Sequence, residues 1–166
     1  MSTNALIGIV NNDNSLTTSY LHYDGYPEGV GKTLLSRYDK ESTARQISEI
    51  GYMSSLEPTF EKTKEGSVHI DDGEDPIVFE HVLAIDLYMQ NHINLEYGYL
   101  LHRDEQWWFA KNHPKQIIWK KLDNSTQLLY NSKLRVRKGS HSFENSNEII
   151  LWLILQQVKR NQSEMH

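Results

Sequence analysis

Cysteine is absent from this 166-residue chain. That excludes disulfides, zinc–thiolate fingers, iron–sulfur clusters and cysteine nucleophiles. Long apolar runs are absent as well: the longest, Ile149 to Leu155, falls far short of the roughly 18 residues a membrane-spanning helix needs. The N-terminus, Met1-Ser2-Thr3-Asn4, carries no basic segment followed by an apolar one, so no secretory signal is visible. The eight histidines are scattered and no His-x₃-His pair lies on a helical pattern, so neither a zinc site nor any other metal is expected. No repeat or low-complexity segment interrupts the chain. These absences set the expectation of a soluble protein of the cytoplasm without a cofactor.

What is present fits one globular domain. Hydrophobic residues make up 38% and charged residues 23% of the chain, enough apolar matter for a core at this length. The net charge is −5, unevenly spread. From Glu57 to Glu105 there are 12 acidic and 3 basic residues, and from Lys111 to His141 there are 8 basic and 1 acidic. Such asymmetry steers partners through the field of the whole molecule, unless the two regions lie side by side and neutralise each other.

The patterning predicts an α+β class built on two β-hairpins in an antiparallel sheet. Ala5 to Val10 and Leu16 to Tyr23 read as strands around the turn cluster Asn11-Asn12-Asp13-Asn14. Asp24-Gly25-Tyr26-Pro27 then turns the chain. Two short helices follow, one over Val30 to Tyr38 and one over Ser42 to Ile50, the second closed by Gly51. Pro58 to Pro76 is polar and turn-rich and reads as a surface loop. Ile77 to Met89 reads as strand in its first half. Tyr97 to Leu101 and Gln106 to Lys111 form the second hairpin, and Ile117 to Leu122 and Leu134 to Arg137 add strands. A C-terminal helix is expected from Ser146 to Arg160, capped by Asn145 or Ser146.

Several motifs invite chemistry. Gly25 to Thr33 looks like a phosphate loop, but the first glycine of that motif falls on Tyr26, and Pro27 removes an amide the cradle uses. Val82-Leu83-Ala84-Ile85-Asp86 has the form of an apolar strand ending in a carboxylate. Tyr20, His22 and Asp24 fall at period 2 on one strand face, and a histidine beside a carboxylate is the raw material of general-base catalysis. The alternative is that His22 binds the turn backbone and Asp24 caps the turn. His69-Ile70-Asp71-Asp72-Gly73-Glu74-Asp75 lacks the ligand spacing of a calcium loop and reads as solvated. Trp107-Trp108-Phe109 splits between two faces of a strand. With Trp119, Lys120, Lys121, Lys133, Arg135, Arg137 and Lys138 it outlines an aromatic-plus-basic surface for nucleic acid. Ile149 to Leu155 is apolar all round, which suits burial in the core or against a second copy.

Ala5 to Val10, the run Tyr20-Leu21-His22-Tyr23-Asp24-Gly25-Tyr26-Pro27, Val30-Gly31-Lys32 with Leu34-Leu35 and Tyr38, Ile50-Gly51 to Leu56, and the hairpin from Tyr97 to Trp108 together resemble a family of small proteins of tailed bacteriophages. Members usually read Trp where Tyr23 stands, and many end soon after the hairpin. The resemblance implies a domain over residues 1–113, with residues 114–166 as an extension of basic strand and apolar helix packed on the same domain. It also implies a non-enzymatic early accessory protein in the host cytoplasm that binds and inhibits a host factor, such as a component of antiviral defence. Tyr23, Asp24, Tyr26, Lys32, Trp108, Lys133, Arg135 and Arg137 are the binding residues expected. Alternatives are a protein that sequesters a nucleotide signal at Tyr23, Tyr26, Lys32 and the Gly29–Gly31 backbone, and a small hydrolase using His22 and Asp24. A host protein is the first expected partner, then a nucleotide, then nucleic acid; no membrane is involved, and a homodimer would form through the C-terminal helix.

Overall fold

Every residue of the first strand, β1 (Asn4–Val10), is buried. Its side chains alternate between two cores: Ala5, Ile7 and Ile9 enter one, Leu6 and Val10 the other. A strand buried on both faces reads as a continuous apolar run rather than an alternating one, and β1 is the middle of the sheet for that reason. The computed structural model describes residues 2–67 and 74–124. Within them the remaining elements are β2 (Leu16–Leu21), a π-helical turn (Pro27–Gly31), α1 (Lys32–Arg37), α2 (Glu41–Ser48), β3 (Tyr52–Met53), α3 (Phe60–Ser67), β4 (Ile77–Phe79), α4 (Val82–Asn91), β5 (Leu95–Leu101), β6 (Trp107–Lys111) and β7 (Ile118–Lys121).

The class is α+β, with one seven-stranded sheet ordered β3-β2-β1-β5-β6-β7, and β4 also paired with β2. Both expected hairpins form, β1 with β2 and β5 with β6. The sheet is mixed, however, and not antiparallel throughout, because β5 joins β1 in parallel. A hairpin pattern reports only the pairing of sequence neighbours; how two hairpins meet is decided by the long connection between them. That connection holds α4, which packs Val82, Ile85 and Met89 over one face with Trp119 and Leu100. Leu34 of α1 and Ala44 and Ile47 of α2 cover the other face with Tyr99, Trp107 and Phe109.

Four local readings change. The helix expected over Val30 to Tyr38 begins as a π-helical turn at Pro27. Residues 58–76 are not all loop, since Phe60–Ser67 is helical. The polar sequence hides it: Thr63 is the buried residue of α3, and its hydroxyl accepts from Glu57 N at 2.9 Å. Val82 to Asp86 is the first half of α4 and not a strand, which removes the last element of the phosphate-loop pattern. His81 caps it, its ring nitrogen accepting from Ala84 N at 3.3 Å. Finally, β2 ends at Leu21, so His22 and Asp24 lie beyond the strand. The Leu134–Arg137 strand, the Ser146–Arg160 helix and the dimer contact assigned to it lie outside the described residues.

Candidate functional site

Past the end of β2 the chain keeps contact with β3 and its continuation. His22 N donates to Met53 O and Tyr23 N to Ser54 O, each at 2.9 Å. Tyr20 stands directly across from Tyr52 in the parallel pair. Three rings therefore meet at the sheet edge: Tyr20 and Tyr52 with centroids 5.7 Å apart, and His22 at 6.3 Å from each. All three are half-buried. Tyr23 sets its edge on His22 at 4.2 Å and is 50% exposed. Aromatic rings left partly open at an edge are the side chains that carry binding energy in protein interfaces.

Glu74 completes this region. Its backbone lies against Gly51, the residue before Tyr52, so closely that a Cβ at position 51 would fall 1.6 Å from Glu74 O. Its carboxylate is exposed, and no lysine or arginine among the described residues pairs with it. Burial holds the phenols of Tyr20, Tyr52 and Tyr88 above the usual tyrosine range, and the negative charge of Glu74 adds to each. Tyr88 reaches this region from α4, where its ring stacks on His92 at 3.8 Å.

The corner that follows is built for turning. Asp24 adopts φ 59°, the left-handed region that Asp tolerates better than most residues. Gly25 N donates to Thr3 O at 2.8 Å, and Gly25 O accepts from the buried Tyr99 hydroxyl at 2.8 Å. The Asp24 carboxylate is exposed, and no hydrogen bond joins it to His22. The catalytic pair drawn from the sequence is thus not assembled. The nucleotide cradle is not open either: Gly29 N and Val30 N both donate to Tyr26 O, at 3.0 and 3.1 Å. Tyr26 is 39% exposed, and Lys32 is exposed at the start of α1.

The expected aromatic-plus-basic surface divides. Trp107 and Trp119 are 1% and 0% exposed, so neither offers a face for a base to stack on. Trp107 uses its indole N–H on Tyr38 O at 2.8 Å. Trp108 lies half-buried on the opposite core, its ring 5.5 Å from that of His102. Beside β6 and β7 a groove of about 560 Å³ is lined by Phe109, Ile118, Lys111, Lys115 and Lys120, among others, and those lysines have no carboxylate partner among the described residues. Lys133, Arg135 and Arg137 lie outside the described residues.

Two buried groups have strongly displaced protonation. His102 is 2% exposed, and burial, helped by Arg103, pushes it down to about 3. It is a neutral imidazole at physiological pH. Burial raises Asp86 to about 7 against the opposing pull of the Trp119 N–H. Both are sealed from solvent, so neither reaches a substrate. Among the described residues no group of three His, Asp or Glu side chains could hold a metal, and no helix is long and apolar enough to cross a membrane.

Tyr52, Glu74 and Tyr88 are the members of this surface that sequence reasoning missed. Tyr52 belongs to a two-residue strand, too short for any period to show. Only the pairing of Tyr20 with His22 at period 2 was visible, and it pointed to catalysis instead of to a ring surface. Comparison with known proteins returns no match to any family model, curated protein or solved structure.

Proposed function

We propose that this chain is a non-catalytic accessory protein of a bacteriophage that acts in the host cytoplasm by binding a host protein, a component of antiviral defence being the target class. The observation that carries the binding reading is the half-open surface of Tyr20, His22, Tyr23 and Tyr52 at the sheet edge. The phage and defence terms rest on the resemblance of residues 5–60 and 97–110. The hydrolase alternative loses support because no hydrogen bond joins His22 to Asp24. The nucleotide alternative loses support because the amides it needs close the Tyr26 turn.

Affinity capture from lysates of host bacteria tests this reading, with the wild-type chain and a Tyr23→Ser/Tyr52→Ser variant compared side by side. A host protein retained by the wild type and lost with the variant, at unchanged circular dichroism, is the expected result. Retention of the same proteins by both, or of none by either, would remove the reading.

A further inference from the structure

We propose that the Tyr20–His22–Tyr52 surface, with Glu74 and Tyr88 beside it, is a recognition site for an arginine guanidinium presented by the partner protein. This deepens the binding reading above and rests on it for the nature of the partner.

The argument begins with the rings. Tyr20, His22 and Tyr52 form a near-equilateral set with sides of 5.7, 6.3 and 6.3 Å and interplanar angles of 31°, 38° and 29°. Three half-buried ring faces tilted by less than 40° to one another thus lie within a few ångströms, the scale of one guanidinium plane. Such faces carry negative potential and attract cations, Arg more often than Lys.

The second observation is the charge beside them. Glu74 is an exposed carboxylate with no cationic partner among the described residues. Its backbone rests on Gly51, next to Tyr52, Tyr20 and Tyr88 pack on the same core cluster, and its charge helps raise the phenols of Tyr20, Tyr52 and Tyr88. None of these three hydroxyls has a hydrogen-bond partner among the described residues. The region therefore holds five oxygen acceptors, three phenol and two carboxylate, beside an aromatic floor, and no lysine or arginine among the described residues pairs with the carboxylate.

The chemistry selects the occupant. A divalent metal is disfavoured, since no group of three His, Asp or Glu side chains among the described residues could hold one. An ammonium is a compact point charge that fits one acceptor at a time. A guanidinium stacks flat on tyrosine and imidazole faces while its five donors reach carboxylate and phenol oxygens in its own plane. The fold keeps the parts in place, since Tyr20 and Tyr52 are paired strand residues and the Glu74 backbone is wedged on Gly51.

The test is an NMR titration of the full chain with the peptide acetyl-Gly-Arg-Gly-amide and, as a neutral isostere, its citrulline counterpart. The arginine peptide should shift the ring and backbone signals of Tyr20, His22, Tyr52 and Tyr88 and the citrulline peptide should not. Glu74→Gln, at an exposed position that leaves the fold intact, should weaken the arginine peptide about tenfold, as loss of a charge-assisted hydrogen bond does. Equal shifts with both peptides, shifts confined to other residues, or an unchanged affinity in Glu74→Gln would overturn the proposal. A captured host protein bound equally well by wild type and Glu74→Gln would overturn this site and leave the binding reading standing. Arginine-specific shifts in a chain that captures no host protein would support this site and count against the binding reading instead.

Discussion

The indole N–H of Trp119 donates to Asp86 Oδ1 over 2.8 Å, in a core where the two residues are 0% and 5% exposed. The second carboxylate oxygen, Oδ2, has no hydrogen-bond partner among the described residues. A buried carboxylate with one neutral donor is held at a cost, because the charge has lost its water and gained little in return. Trp119 lies on β7 and Asp86 on α4, so this bond also ties the helix to the outer strands of the sheet.

The pair makes stability depend on pH. The folded carboxyl titrates at about 7, against 3.8 for the ordinary group, with burial as the cause. A raised folded pKa means the contribution is fully favourable below the unfolded value and is lost as pH rises through the folded one. Between pH 4 and pH 7 the chain should therefore lose up to about 4 kcal/mol that Asp86→Asn does not lose. Denaturant melts of both proteins across that range should diverge, with the variant gaining relative stability as pH rises. Parallel curves would show that water or a cation reaches the carboxylate.

The corner from Asp24 to Pro27 is held by its backbone, and this sets a second expectation. The Tyr99 hydroxyl donates to Gly25 O inside the core, and a Cβ on residue 25 would lie 2.7 Å from Thr3 O and 2.9 Å from Ala5 Cβ. Tyr99→Phe should cost about 1–2 kcal/mol, the penalty for a buried carbonyl left without its donor. Gly25→Ala should cost more than that, because Thr3 and Ala5 belong to the β1 end of the chain and cannot move freely. Asp24→Asn should be tolerated, as Asn also accepts a positive φ. Thermal melts of the three variants give the order directly.

This corner was legible in the sequence because its residue types announce a turn whatever surrounds them. The same holds for the two hairpins, whose strands flank the polar turns Asn11-Asn12-Asp13-Asn14 and His102-Arg103-Asp104-Glu105, and for α2, where Ala44 and Ile47 face the core at helical spacing. The meeting of the hairpins was not legible, since nothing in Ala5 to Val10 records that Tyr97 to Leu101 lies beside it in parallel. Nor was the aromatic site: Tyr20 and Tyr52 share an edge only because β3 returns alongside β2, and Glu74 arrives from a third segment. Period and turn chemistry are local signals, and this site is assembled from parts that are distant in sequence.

Parallel pairing of β1 with β5 brings the two hairpin turns to one end of the sheet, and Arg103 joins them. Its Nε and Nη2 donate to Asn11 O at 3.2 and 2.9 Å, and Nη2 also donates to Asn14 Oδ1. A planar fork makes these contacts simultaneously, which an ammonium cannot do. Arg103→Ala should destabilise the chain by about 1–3 kcal/mol. Arg103→Lys should recover only part of this. Amide exchange of the residues 11–15 turn should quicken in both variants, more in the alanine form. Equal exchange in all three proteins would mean the turns hold without the clamp.

Gly51 supplies the last expectation, which concerns the binding surface itself. Its φ of +88° lies where side chains are strained, and Glu74 O occupies the space a Cβ would need. Gly51 O also accepts from Tyr20 N, and Gly51 N donates to Ser19 Oγ, both at 2.8 Å. Gly51→Ala therefore has to displace either the Glu74 segment or the β2–β3 pairing. If the chain folds, Glu74 should move away from Tyr52, and the phenols of Tyr20 and Tyr52 should titrate at lower pH than in the wild type, because one cause of their elevation is gone. Ultraviolet difference titration of the tyrosines reads this shift. Gly51→Ala with an unchanged tyrosine titration and an unchanged melting temperature would show that Glu74 does not rest on Gly51.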